Sequence, residues 1–227
     1  MLSGRKQENR GSRRLATDVV LLLDASGSMS SRRDETIRQV NRYLDQLKGD
    51  GLKYRLTVKT FNEYVHTLIS YKNIRDVGEL EHQEYRPNGW TRLLDAVGRT
   101  LDDIYIAGGY SDRTLFVVVT DGQENDSRNY GLQQVRDMID RRRSENFQFV
   151  FLGDGPGAWQ TGSRLGFNFS VATDWTSPQN SQNIYKSLYT TSNVMASGGT
   201  ITANLMNTGS TTATETTPTQ KKPDEQI

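Results

Sequence analysis

Two apolar patterns alternate along the chain. Val19 to Leu23, Leu115 to Val119 and Phe147 to Leu152 are short continuous runs, the mark of strands buried on both faces. Between and after them, apolar residues recur at helical spacing. Ile37, Val40, Tyr43, Leu44 and Leu47 form one stripe, and Leu93, Leu94, Val97, Leu101, Ile104 and Tyr105 a second. Val135, Met138 and Ile139 give a third, within a helix expected near 132–143. Strict alternation from Tyr54 to Phe61, a short turn at Asn62-Glu63 and a second strand over 64–69 predict an antiparallel hairpin at or near a sheet edge. Residues 73–85 are polar and weakly periodic, which predicts a loop with one helical turn. A helix over 158–165, a last strand over 167–171 and a last helix over 180–192 complete the series.

Strands that alternate with helices predict an α/β fold: a doubly wound, mostly parallel, Rossmann-like sheet with one antiparallel edge strand and helices on both faces. The apolar residues concentrate in 16–195, the expected domain. Before it lies a flexible basic arm, 1–15, with Arg5, Lys6, Arg10, Arg13 and Arg14 against Glu8. After it lies a tail, 196–227, rich in Thr, Ser, Gly and Asn, expected to be disordered because it has too little apolar surface to bury. The polar ends explain a mean hydropathy of −0.70.

The chemistry gathers where strands end. Asp24-Ala25-Ser26-Gly27-Ser28 follows the first strand and sets a carboxylate and two hydroxyls at alternate positions. Open α/β sheets bind ligands at the carboxyl ends of their strands, and right-handed crossovers bring the first and fourth strand ends to one edge. Thr91, after the turn Pro87-Asn88-Gly89-Trp90, and Asp121, in Thr120-Asp121-Gly122, can therefore converge with Asp24, Ser26 and Ser28. All five offer oxygen, the donor that hard cations prefer. Few carboxylates among several neutral oxygens under-neutralise a dication and leave room for an acidic ligand. Turn and cap chemistry explains any one of these residues alone, but not the set.

Composition narrows the alternatives. With 28 basic and 27 acidic residues there is no general pull toward nucleic acid or membrane. Cysteine is absent, which removes disulfides and thiolate metal sites and suits a reducing, cytoplasmic setting. His66 and His82 have no partner at zinc-ligand spacing. No nucleophile stands with a base, Asp24 occupies the first glycine position of a GxSxG elbow, and there is no GxxxxGK[ST] loop. A phosphatase built on Asp24 needs a second acid where Ser26 stands. The chain is therefore expected not to be an enzyme. The alternatives are a metal-dependent phosphatase or hydrolase, and a virion- or complex-associated adaptor that binds through its tails.

The five residues resemble the metal-ion-dependent adhesion site, DxSxS…T…D, of von Willebrand factor A (VWA) domains, and the element order fits that fold over roughly 15–190. The stretch Thr120 to Ser127 with Phe149-Val150-Phe151-Leu152-Gly153 resembles stand-alone intracellular VWA proteins of bacteria and phages, although Asp154 stands where many of these have Ala. The resemblance implies Mg²⁺, with Mn²⁺ as the alternative, bound directly by Ser26 and Ser28. Thr91 binds directly or through water, and Asp24 and Asp121 act mainly through waters and by bonding the ligating hydroxyls. The open position implies a partner protein presenting an Asp or Glu. Trp90, Glu124, Asn125 and Asp126 are expected on the partner-binding rim. A phage origin would make the protein virion-associated as an alternative to cytoplasmic.

Overall fold

The computed structural model describes residues 16–107, 113–121, 124–154, 157–173, 177–202 and 212–215. The basic arm 1–15, Gly122 and most of the tail lie outside the described residues. Among those described, the strands are β1 (Thr17–Asp24), β2 (Tyr54–Phe61), β3 (Val65–Asn73), β4 (Thr114–Thr120), β5 (Phe147–Asp154), β6 (Phe169–Thr173) and β7 (Thr212–Glu215). The α-helices are α1 (Arg33–Gly49), α2 (Leu93–Ala107), α3 (Leu132–Arg143), α4 (Ala158–Leu165) and α5 (Pro178–Ala196). The strands form one seven-stranded sheet in the order β3-β2-β1-β4-β5-β6-β7.

β1 is buried along its whole length because it lies between β2 and β4, parallel to both, with helices on either side. Its alternation sorts the core. Val19, Leu21 and Leu23 join Ile37, Val40 and Leu44 of α1 and Ile184 and Leu188 of α5. Val20 and Leu22 face the other way, into a layer with Leu93 and Val97 of α2, Val135 and Ile139 of α3 and Leu165 of α4. That second layer is aromatic: the Phe149 ring lies 5.3 Å from Phe116 and 5.5 Å from Phe167. The doubly wound arrangement follows from burying both faces of an apolar strand.

Several elements differ from expectation. A 3₁₀ turn, Gly27–Arg32, precedes α1, so Ser30 and Ser31 do not cap that helix. Val77, Leu80 and Tyr85, in the stretch expected as a polar loop, are core residues. β3 is antiparallel to β2, as the hairpin predicted, but β7 is also antiparallel to β6, so the sheet has an antiparallel strand at each edge. β7 comes from the tail expected to be disordered. Its Thr-Ala-Thr-Glu sequence has β propensity, and the open edge of β6 supplies the backbone partners that an isolated segment lacks.

The chain winds outward from β1 to β3 and then returns to start the other half at β4. The order therefore reverses between β1 and β4, the place at which open α/β sheets bind their ligands. No helix among the described residues is long and apolar enough to cross a membrane.

Candidate metal site

Asp24 ends β1 and is completely buried. Because Leu23 pairs with Val119, the next residues on the two strands, Asp24 and Thr120, are neighbours, and the Thr120 hydroxyl donates to Asp24 Oδ2 at 2.5 Å. Asp24 Oδ1 accepts from the Ser26 amide at 2.7 Å, which turns the chain sharply into the Ser26-Gly27-Ser28 loop. The Tyr85 hydroxyl donates to the Asp24 carbonyl at 2.5 Å and fixes the start of that turn. Burial pushes the Asp24 carboxyl above its usual pKa. The bonds from Thr120 and Ser26 draw it part of the way back, and the negative charge of Asp121 pushes it up again.

Ser26, Ser28 and Asp121 form a chain of oxygens. Ser28 donates its hydroxyl to Asp121 Oδ1 at 2.6 Å, and Ser26 Oγ lies 3.1 Å from Ser28 Oγ. Since the Ser28 proton is on Asp121, Ser26 is the donor in that second contact. Adjacent ligands of an octahedral ion at about 2.1 Å stand about 3.0 Å apart, so the two hydroxyls have the spacing of one octahedral edge for Mg²⁺ or Mn²⁺. Ca²⁺, with longer bonds of about 2.4 Å, asks for a wider edge. Hydroxyls with two carboxylates suit a hard ion. No group of three His, Cys, Asp or Glu able to hold a metal occurs among the described residues, so an ion here would draw on the hydroxyls as well as the carboxylates. The donor set fits the ion implied by the sequence.

The segment that carries Thr91 is joined to the serine loop, the convergence that the strand-end topology predicts. Gly27 N donates to Gly89 O at 3.0 Å and Asn88 N to Ala25 O at 2.8 Å, so the segment 87–91 is stitched to the serine loop. Asn62 Nδ2 donates to Asn88 Oδ1 at 2.7 Å, and Glu63 Oε1 accepts from Trp90 N at 3.0 Å. Gly89 has φ +73°, which favours glycine, and a Cβ there would push aside the Glu63 carboxylate that holds Trp90 N. Thr91 is buried and precedes α2 rather than beginning it; its amide donates to Asn125 Oδ1 at 3.0 Å. Trp90 is 64% exposed beside it.

Three of the four residues expected on the rim have other work. Glu124 turns its carboxylate inward, where it accepts from the amides of Leu94 at 2.8 Å, Asp126 at 3.0 Å and Ser127 at 2.6 Å, and from the Ser127 hydroxyl at 2.7 Å. It serves the first-turn amide of Leu94 in α2 and closes its own loop through Asp126 and Ser127. Asn125 holds Thr91, and Asp126 pairs with Arg92 at 2.7 Å and Arg128 at 3.1 Å. Of the four, Trp90 alone remains as an outward-facing group with no such internal task. Sequence reasoning missed Asn62, Glu63, Tyr85 and Thr120, whose signals are ordinary turn, loop and strand residues. It also missed Arg32, which lies 3.3 Å from Asp121 Oδ2 and 2.6 Å from Asp154 Oδ2.

The family model described as von Willebrand factor type A domain matches residues 18–182. No curated protein matches the chain. Among solved structures, proximal thread matrix protein 1 of the mussel byssus is similar with a TM-score of 0.55 at 15% identity, over 79% of this chain and 48% of that one. VWA2, the ArnB paralog of Sulfolobus acidocaldarius, gives 0.51 at 16% identity over 78% and 44%. A von Willebrand factor type A protein from Catenulispora acidiphila gives 0.50 at 13% identity over 78% and 42%. The chain thus spans less than half the length of these structures, and at such identities the likeness is one of fold.

Proposed function

Because the chain belongs to the von Willebrand factor type A family, whose domains are generally metal-dependent protein-interaction modules, we propose that it binds Mg²⁺ or Mn²⁺ and captures an acidic side chain of a partner protein. Ser26, Ser28 and Thr91 hold the ion directly or through water, and Asp24 and Asp121 orient the serine loop and supply negative charge. The observation that carries this reading is the pair of hydroxyls of Ser26 and Ser28, 3.1 Å apart, with that of Ser28 2.6 Å from Asp121, at the reversal point of the sheet. The bound ion supplies a localised positive charge with a position open to an Asp or Glu carboxylate. The chain itself positions the loop, buries Asp24 and keeps Trp90 exposed at the margin for contact with the partner.

Binding without catalysis is part of the proposal. The histidines have other neighbours: His66, on β3, pairs with Thr60 of β2, and His82 lies 3.4 Å from Asp34. Neither serine is thereby paired with an imidazole base; the proton of Ser28 rests on Asp121, whose carboxylate this reading assigns to the ion. Residence in the cytoplasm, which suits a chain without cysteine, belongs to the same reading.

Thermal melts in EDTA, Mg²⁺, Mn²⁺ and Ca²⁺ test the site. Metal at about 100 times its Kd is expected to stabilise the wild type by about 2.7 kcal/mol, since it binds the native state alone. Ser26→Ala is expected to lose that response and, in a pull-down, the EDTA-sensitive capture of a partner. A Ser26→Ala protein that responds to Mg²⁺ as the wild type does would sink the assignment.

A further inference from the structure

Arg32 closes the 3₁₀ turn that carries Ser28, and its guanidinium reaches two strand ends at once. Nε lies 3.3 Å from Asp121 Oδ2 and Nη2 lies 2.6 Å from Asp154 Oδ2. Register accounts for this bridge. Thr120 pairs with Gly153, so Asp121 and Asp154 leave adjacent parallel strands side by side. The side chains of Arg32 and Asp154 are each 21% exposed and that of Asp121 only 5%, so the charges face one another with limited water between them. Glu35, which lines the same cavity as Arg32, is engaged by Arg38 at 3.1 Å and Gln39 at 2.7 Å. Asp121 therefore has one oxygen on the Ser28 hydroxyl and the other on Arg32.

We propose that Arg32, anchored by Asp154, is an internal counter-cation that stabilises the metal-free site and competes with the dication for Asp121. The proposal rests on the metal-binding reading above. Asp24 and Asp121 repel each other, and without a positive charge between or beside them the serine loop is held against that repulsion. Arg32 supplies one charge that relieves it. A dication arriving at Ser26 and Ser28 must share Asp121 with the guanidinium and meets a like charge one carboxylate away. Both effects have the same sign: each favours the empty site and weakens the loaded one. Asp154 matters through Arg32, because it keeps the guanidinium from swinging into solvent.

The test is Mn²⁺ binding, followed by calorimetry and by the electron paramagnetic resonance signal of free Mn²⁺, on the full chain. A unit charge acting on a dication across several ångströms of hydrated surface changes affinity by roughly tenfold. Arg32→Gln is therefore expected to bind Mn²⁺ about tenfold tighter than wild type, to melt below wild type in EDTA, and to lose that deficit in saturating Mn²⁺. Arg32→Lys, which keeps the charge, is expected to stay within about threefold of wild type. Adding Asp154→Asn to Arg32→Gln is expected to change affinity by less than about threefold, as Asp154 acts through the arginine. Equal or weaker Mn²⁺ binding by Arg32→Gln overturns the proposal and leaves the metal site standing. Tightening by Arg32→Lys beyond about threefold overturns the charge account, and remains readable if Arg32→Gln fails to fold. Absence of Mn²⁺ binding in both wild type and Arg32→Gln overturns the proposal and the metal reading together.

Discussion

Around the Asp24–Ser28 loop the carboxylates are met mainly by hydroxyls, with one backbone amide; around the loop over 124–130 they are met mainly by backbone amides. Asp24 and Asp121 are met by Thr120, Ser26 and Ser28. Asp95, in the first turn of α2, accepts from the amides of Arg128 at 3.0 Å, Asn129 at 2.8 Å and Tyr130 at 2.9 Å, and from the Asn129 side chain at 3.1 Å. Glu124 is met by four donors in the same manner. A hydroxyl both donates and accepts, so Ser28 can keep its proton on Asp121 and still offer a lone pair to an ion. An amide offers only its proton and repels a cation. Carboxylates thus line the proposed metal cradle in one place and anchor a helix in the other.

The largest expected effect breaks the anchor. Asp95→Ala removes a buried carboxylate and strands its donors, and is expected to cost about 4 kcal/mol in urea denaturation, from about 1 kcal/mol for each lost bond. A cost below about 1 kcal/mol would mean that water replaces the carboxylate and that the anchor is dispensable. Asp95 also gives the comparison a pH signature. Burial pushes its carboxyl up, but the amides of Arg128, Asn129 and Tyr130 and the Asn129 side chain outweigh it and hold the pKa below the ordinary 3.8. The folded state then releases this proton more readily than the unfolded chain. The stability from ionised Asp95 is present above about pH 3.8 and disappears as pH falls through the depressed value. In metal-free protein, Asp95→Asn is expected to flatten the acid limb of the stability profile, and an unchanged limb would assign it to other groups.

Glu124→Lys comes next, at about 2–3 kcal/mol of stability, because the buried amides lose their acceptor and a cation is placed at a helix N-terminus. Its Mn²⁺ affinity, measured on folded protein, is expected to stay within about threefold of wild type; a larger loss would move Glu124 from anchor to cradle. Asp24→Asn should behave in the opposite way. In EDTA its stability is expected to lie within about 1 kcal/mol of wild type, since a buried charge is removed along with its bonds, whereas the stabilisation by Mg²⁺ vanishes. The smallest effect belongs to Trp90→Ala, with stability unchanged within about 0.5 kcal/mol because the ring is exposed. Its consequence is expected in partner off-rate alone, and an unaltered off-rate would remove Trp90 from the contact surface.

Much of the frame was legible along the chain because it rests on local pattern. Val19 to Leu23 reads as a strand buried on both faces since no polar residue interrupts it, and the stripes of α1 and α2 follow helical spacing closely. Asp24, Ser26 and Ser28 were legible as a group because they are two residues apart, and Asp121 because it ends an apolar run. Tyr85, Leu80 and Val77 were not, since their burial depends on the distant surface that α1 and β1 present. β7 was hidden for a similar reason: a short Thr-rich segment is a strand only beside an open edge.

The sequence by itself determined which residues carry oxygen at strand ends, and so what kind of ion the chain suits, because ligand chemistry is a property of side chains. Tertiary structure alone decided which carboxylates are available to it. Glu124 and Asp126 look as free as Asp121 in the sequence, yet the start of α2 absorbs the first and Arg92 the second. Strand register sets Asp121 beside Asp154 and brings Arg32 between them. Hydrogen bonds and charges act over a few ångströms, and residues separated by about a hundred positions come within that range only when the sheet is assembled.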